Sequence, residues 1–187
     1  MRKITTDDNL APGSFRNSNI ETADFERPNT SKFYGTTKPT FSESLIKTYK
    51  FFQENFGIPA TVFYPSCNLD ASPLRAFDKS KVTLLDNDED VVKALRRNGV
   101  EIIHEDVKIH RPREKYDFLI LLNPQVRTYD ASHTVRNGGY ILTNNYHHNA
   151  SQMFARPWSY RFIGLINDRD KDNFKIEGKK EAKKILF

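Results

Sequence analysis

Asp86, Asp106 and Asn123 each close an apolar run, Val82 to Asp86, Val100 to Asp106 and Phe118 to Asn123. If such runs form buried parallel strands, these polar residues stand along the carboxyl edge of the sheet, where open α/β folds bind their ligands. A carboxylate at that edge offers two acceptor oxygens and takes both hydroxyls of a vicinal diol such as a ribose. Asp86 suits this by spacing. It lies 20 residues beyond Ser66, in the loop after the run Ala60 to Tyr64, and in βαβ nucleotide sites an acidic residue about 20 residues past the first turn meets the ribose. The competing readings are that Asp86 and Asp106 only initiate turns and that Asp88 only caps a helix.

Other residue types could support other chemistry. Cys67 is the only cysteine, which excludes an internal disulfide. As a nucleophile it needs a neighbouring base or positive field that the sequence does not assign it, so it reads as a small residue packed beneath its loop. Asn144-Asn145-Tyr146-His147-His148-Asn149 is dense in hydrogen-bonding groups. It could line a pocket, with His147 or His148 as a general base, against the alternative of a solvated loop. Adjacent histidines do not face one point, as ligands on regular structure do, and no metal site is expected. Arg156, Trp158, Tyr160 and Arg161 interleave basic and aromatic groups in the manner of nucleic-acid binders. A fold-side role for Trp158, with surface arginines beside it, is the preferred reading.

The elements that must position these groups follow from periodicity. Residues 1–40 are rich in Thr, Asn, Ser, Asp and Pro, and Ile4, Leu10, Phe15, Ile20 and Phe25 keep neither period, so an irregular arm is expected there and an α/β domain over 41–187. Ser42 is a suitable N-cap with Glu43 behind it, and Leu45, Ile46, Tyr49, Phe52 and Phe56 form one helical stripe that Gly57 can end. Ala60 to Tyr64 and Lys81 to Leu85 read as strands. Val91, Val92 and Leu95 form a second helical stripe between Asp88 and Gly99. Val100 to Ile103 and the almost wholly apolar Tyr116 to Leu122 read as further strands, the latter covered on both faces. A short helical connection from Val126 to Val135 and a turn at Asn137-Gly138-Gly139 lead to a fifth strand, Tyr140 to Thr143. Tyr160 to Ile166 and a run within Asn173 to Phe187, joined by the turn Asn167 to Asp172, predict an antiparallel hairpin.

Composition adds bounds. A chain of 187 residues suits one ordinary domain with an extension. The net charge of +5 is spread out and partly gathered in Lys179, Lys180, Lys183 and Lys184, which suit a solvated helical face better than a nucleic-acid patch. No apolar run approaches the roughly 20 residues of a membrane span, and Met1 to Leu10 is polar, so a soluble cytoplasmic protein is expected.

This order resembles the class I S-adenosylmethionine-dependent methyltransferase family from about Ser42 onward. The residues that carry it are Tyr64-Pro65-Ser66-Cys67-Asn68-Leu69-Asp70, Leu84-Leu85-Asp86-Asn87-Asp88, Glu105-Asp106-Val107 and Leu121-Leu122-Asn123-Pro124. The resemblance implies a Rossmann-like three-layer sandwich, a mostly parallel sheet with a C-terminal antiparallel hairpin, and S-adenosylmethionine as cofactor. It places Tyr64, Ser66, Asn68, Asp70, Asp86, Asn87, Asp106, Val107 and Asn123 around that cofactor. Asp86 would hold the ribose, Asp106 would accept from the adenine amine, and Val107 would press on the adenine ring. Asp70 would meet the amino group, Ser66 or Asn68 the carboxylate, and Asn123 and Pro124 the methyl donor. Asn123-Pro124-Gln125-Val126 partly echoes the Asn-Pro-Pro-aromatic motif of amino-methyltransferases, without its second proline and its aromatic.

The family's first loop usually carries glycines, so that backbone can approach the cofactor. Here Ser66, Asn68 and Asp70 stand in their place, and no glycine occurs between Gly57 and Gly99. Two further readings stand beside the methyltransferase-like one, whose acceptor the sequence does not reveal. One is a non-catalytic binding or scaffold module on the same fold. The other is a nicotinamide-linked oxidoreductase, weakened by the missing Gly-x-Gly-x-x-Gly.

Overall fold

The structure, a computed structural model, describes residues 37–122, 126–145, 148–167 and 174–186. Helix α1 (Glu43–Phe56) starts where the Ser42 hydroxyl accepts from the Leu45 amide at 3.3 Å, and it ends at Gly57, whose φ of 89° suits glycine. Its apolar stripe buries Ile46, Tyr49 and Phe52, and the Phe52 ring stacks on Phe118 at 4.2 Å. Strand β1 (Val62–Pro65) follows, then a single helical turn, α2 (Pro73–Ala76). Strand β2 (Val82–Asp86) leads to helix α3 (Glu89–Arg97), capped by the Asp88 carboxylate on the Asp90 and Val91 amides at 2.9 and 3.3 Å. The remaining elements are β3 (Ile103–His104), β4 (Tyr116–Leu121), α4 (Thr128–Ala131), β5 (Val135–Thr143), α5 (Asn149–Phe154), β6 (Leu165–Asn167), β7 (Lys175–Glu177) and α6 (Lys179–Leu186).

Strands β1 to β5 form one parallel sheet in the order β3-β2-β1-β4-β5. Because β1 is central and flanked on both sides, all of its residues are buried, and alternate side chains serve opposite faces. On one face Val62, Tyr64, Leu84 and Phe118 pack with the stripes of α1 and α3. On the other, Phe63, Leu85, Leu119 and Leu121 pack with Val107, Val126 and Ala131, so this layer is thin, built from the chain after β3 and from α4. The fold is therefore the expected Rossmann-like α/β sandwich.

Several elements differ from the sequence expectation. Strand β3 pairs through only Ile103 and His104, because the Val100 amide still donates to Leu95 at the end of α3. The turn at Asn137-Gly138-Gly139 is instead a bulge inside β5. Tyr116 pairs with Val135 and Phe118 with Tyr140, so the four residues Arg136 to Gly139 of β5 stand opposite Asp117 alone in β4. Gly139 is required there, since a Cβ would meet the carbonyl oxygens of Asp117 at 2.8 Å and Arg136 at 3.0 Å. Residues Tyr160 to Gly164 are not strand, because the amides of Ser159 and Tyr160 bond back to the Arg156 carbonyl as a turn. The hairpin β6–β7 is antiparallel but stands as its own two-stranded sheet. The lysine-rich run forms helix α6, in which Ala182 is buried. Residues 1–36, and 168–172 of the expected turn, lie outside the described residues. Among the described residues no helix is long and apolar enough to cross a membrane.

Candidate functional site

A crevice of about 1020 Å³ opens at the carboxyl ends of β1, β2 and β3, a size suited to a ligand of some tens of atoms. Its floor is the loop Ser66 to Asp70. Ser66 and Asn68 hold φ values of 50° and 52°, the left-handed region that glycine enters without cost. Several bonds hold this course. The Asn68 amide donates to Asp86 Oδ2 at 2.9 Å, and the Leu69 amide to Asn68 Oδ1 at 2.8 Å. Thr40 lies across the loop, its amide donating to the Leu69 carbonyl at 2.7 Å while its carbonyl accepts from Ala71 at 2.9 Å.

Asp86 organises both sides of the crevice floor. Its other oxygen, Oδ1, accepts from the Asp88 amide at 2.9 Å, fixing the start of α3. The residue is 6% exposed, and burial raises its carboxyl above the usual carboxylate range against the lowering effect of the Asp88 and Asn68 amides. The Asn68, Asp88 and Asn87 amides all act on this carboxylate, and a carboxylate has about four acceptor sites, so some acceptor capacity remains for a ligand.

Asp70 is similarly engaged. Oδ2 accepts from the Tyr64 hydroxyl at 3.0 Å, and Oδ1 accepts from the Ser72 amide at 2.9 Å and from the Ser72 hydroxyl. Ser72 Oγ in turn accepts from the Ser42 amide at 2.8 Å, which ties the loop to the start of α1. Burial, then the Asp70 charge, raises the Tyr64 phenol. The same two causes raise Tyr49, whose buried hydroxyl has no hydrogen-bond partner among the described residues. Cys67 is 2% exposed, and burial, followed by the charges of Asp86 and Asp70, raises its thiol, which fits a packed residue and not a nucleophile.

Asp106 sits on the adjoining wall, where Oδ1 accepts from the Lys108 amide at 2.9 Å and its carbonyl accepts from Ile109 and His110. Val107 is buried beside it, and Asn87 lines the same crevice, its carbonyl 3.3 Å from His104 Nε2. Behind this wall, Glu105 Oε2 meets His110 Nδ1 at 2.5 Å, and His110 Nε2 lies 3.3 Å from the Tyr116 hydroxyl. This chain, buried at His110 and Tyr116 and half-buried at Glu105, holds the segment 105–110 against the sheet.

The structure thus brings Tyr64, Ser66, Asn68 and Asp70 together with Asp86, Asn87, Asp106 and Val107 around one crevice. Asn123 and His147 lie outside the described residues. His148, at a φ of 59°, is described but is not among the lining residues. Sequence reasoning missed the opposite wall, where Arg127 stacks its guanidinium 5.9 Å over the Tyr129 ring and donates to its hydroxyl at 3.1 Å. It also missed Asn149, fully buried. Its Oδ1 accepts from the Thr128 amide at 2.9 Å and the Thr128 hydroxyl at 3.1 Å, while Nδ2 donates to Val126 at 3.0 Å. These bonds join α5 to α4 across a sequence distance no local pattern encodes. Trp158 corrects the sequence reading, because among the described residues it is 80% exposed and is not packed on the fold side.

The charge of the crevice is strongly one-sided. Among the described residues, carboxylates of Asp70, Asp86, Asp88, Glu105, Asp106 and Asp130 line it, against the cations of Lys108 and Arg127. Such a surface favours a ligand with net positive charge and opposes a pyrophosphate. Among the described residues no group of His, Cys, Asp and Glu could hold a metal ion.

No protein-family model matches the chain, and no curated protein matches it. Solved structures do. An N-methyltransferase from Bradyrhizobium japonicum in complex with S-adenosyl-L-homocysteine aligns at 11% identity and a TM-score of 0.44, over 55% of this chain and 61% of that one. A sugar N-methyltransferase from a Streptoalloteichus species aligns at 11% identity and a TM-score of 0.47, over 72% of this chain and 58% of that one. A glycopeptide N-methyltransferase complexed with S-adenosyl-L-homocysteine aligns at 12% identity and a TM-score of 0.42, over 60% and 56%. The chain spans less than two thirds of the length of the first solved structures it matches, at 61%, 34% and 40%.

Proposed function

We propose that the crevice binds S-adenosylmethionine and that the chain is a methyltransferase-like protein. The observation that carries this reading is the backbone of the first loop. Ser66 and Asn68 adopt positive φ without being glycine, and the Asn68 amide is held by the carboxylate that would take the ribose. That strained course supports the reading, since it is the backbone shape a close approach to a ligand needs, here adopted without glycine.

The residues fit the group. Asp86 would accept from the ribose hydroxyls with its remaining acceptor sites, Asp106 would accept from the adenine amine, and buried Val107 would bound the ring. Ser66 and Asn68 would hold the carboxylate end, and Asp70 would attract the amino group while staying bonded to Tyr64 and Ser72. The acidic lining suits a sulfonium with an amino group, and it disfavours NAD, whose pyrophosphate would face those carboxylates. When bound, S-adenosylmethionine supplies a methyl group already made electrophilic by its sulfonium. The protein's part is then to orient the acceptor and exclude water.

Calorimetric titration of the full chain with S-adenosylmethionine, S-adenosyl-L-homocysteine and NAD tests it. Binding of the first two without NAD is the expected result, with the sulfonium ligand preferred. Absence of heat and of thermal stabilisation with the first two at millimolar concentration overturns it, and binding of NAD alone favours the oxidoreductase reading.

A further inference from the structure

The chain's only tryptophan stands at the tip of a hydrogen-bonded turn that points it into solvent. The amides of Ser159 and Tyr160 both bond to the Arg156 carbonyl at 3.0 Å, and the rings of Phe154 and Phe162, on either side of the turn, meet edge to face at 5.2 Å. Downstream, Gly164 packs against Ile176 of β7 so closely that a Cβ there would collide with it. Trp158 is therefore displayed by a built turn, with exposed Arg156 and Arg161 beside it. The surrounding sequence is unusual in charge. From Ala131 to Asn167 there is no Asp or Glu, and the fixed cations are Arg136, Arg156 and Arg161.

We infer that the Arg156–Arg161 turn binds single-stranded nucleic acid, with one base stacked on Trp158 and the adjoining phosphates held by Arg156 and Arg161. An exposed indole face accepts any base, and the flanking guanidinium groups, whose nearest acidic residue in sequence is Asp168, seven positions beyond Arg161, complement a phosphate backbone. A membrane surface fits less well, since the segment is irregular and its exposed large apolar residues are only Trp158 and Ile163, where a lipid-binding element needs a continuous apolar face. The turn is also tied to the crevice wall, because α5 immediately precedes it and Asn149 at the start of α5 bonds to Thr128 of α4. Binding at the turn is independent of what the crevice holds.

Trp158 reports on its own occupancy. The full chain, without methyl donor, is titrated with 12-nucleotide oligo(U) and oligo(dT) while tryptophan fluorescence is followed, and in parallel with vesicles containing phosphatidylserine. Quenching by either oligonucleotide is expected, and comparison of the two arms tells RNA from DNA. Anisotropy of labelled oligonucleotide should show Trp158→Ala weakening binding about 5- to 150-fold, with Trp158→Phe recovering most of it. Arg156→Ala with Arg161→Ala should flatten the salt dependence of log affinity by about 1.4, for two phosphates at about 0.7 each. No quenching by either oligonucleotide, an unchanged affinity in Trp158→Ala, or a response to vesicles alone each overturns the inference.

Discussion

Replacing Asp86 by asparagine keeps the side-chain volume and removes one acceptor oxygen. In the fold, Oδ2 takes the Asn68 amide and Oδ1 the Asp88 amide, both at 2.9 Å. Whichever way the new amide turns, its NH2 faces one of these backbone N–H groups, and an unpaired buried donor costs about 1–3 kcal/mol. The surviving bond also changes from charge-assisted to neutral, a loss of about 1 kcal/mol. Against this, asparagine is spared the desolvation that raises the Asp86 carboxyl. A net destabilisation of about 2 kcal/mol follows, or about 4–8 °C in melting temperature for a chain of this size. Loss of the anionic acceptor should also weaken S-adenosylmethionine at least tenfold, about 1.4 kcal/mol. Thermal and urea unfolding read the first effect, and calorimetric titration reads the second. An unchanged melting temperature refutes the carboxylate as a staple of the loop, and an unchanged affinity refutes its place under the ribose.

The same carboxylate sets opposite pH dependences for binding and folding. Binding of S-adenosylmethionine should weaken as pH falls through the raised Asp86 value, beginning above the ordinary carboxylate value of about 3.9, because the protonated group loses charge and an acceptor. For folding, a raised native pKa means the native state holds the proton more tightly. The Asp86 contribution to stability is therefore greatest below the unfolded value and is lost as pH rises through the folded one. Titrations and urea midpoints from about pH 4 to 7 check both, and Asp86→Asn should remove both. Ser66→Gly should change stability by no more than about 1 kcal/mol, relief at φ 50° offsetting added unfolded-state entropy, whereas Ser66→Val should cost clearly more in the same urea assay. Gly139→Ala should lower stability by about 2 kcal/mol, since its Cβ would meet backbone oxygens at 2.8 and 3.0 Å, and an unchanged urea midpoint would show that the bulge shifts freely. Native Cys67 should resist a thiol-specific colorimetric reagent and react fully on denaturation, and rapid reaction of the folded protein would contradict its burial.

The site residues legible in the sequence are those with a local signature. Asp86 and Asp106 end apolar runs, and Ser42 and Asp88 precede helical stripes, so strand ends and caps can be read from a few neighbouring residues. The opposite wall cannot, because Arg127 and Tyr129 lie at and within a four-residue helix whose place is set by Asn149, 21 residues after Thr128. Nor can the β5 bulge, because Asn137-Gly138-Gly139 reads equally well as a turn until β4 lies beside it. Exposure of a single tryptophan is similarly undecided by its neighbours in sequence, since core and surface aromatics share the same local pattern.

What the sequence determined by itself is the alternation of strand and helix and the placing of carboxylates at the strand ends, because periodicity and capping act over a few residues. Tertiary structure alone decided that Ser66 and Asn68 take the left-handed backbone, that Asp86 reaches across 18 residues to hold that loop, and that the hairpin forms a sheet of its own. The physical reason is the same in each case. A buried amide or an unpaired strand edge is satisfied by whichever distant group the fold brings to it, and that partner is chosen by packing of the whole chain.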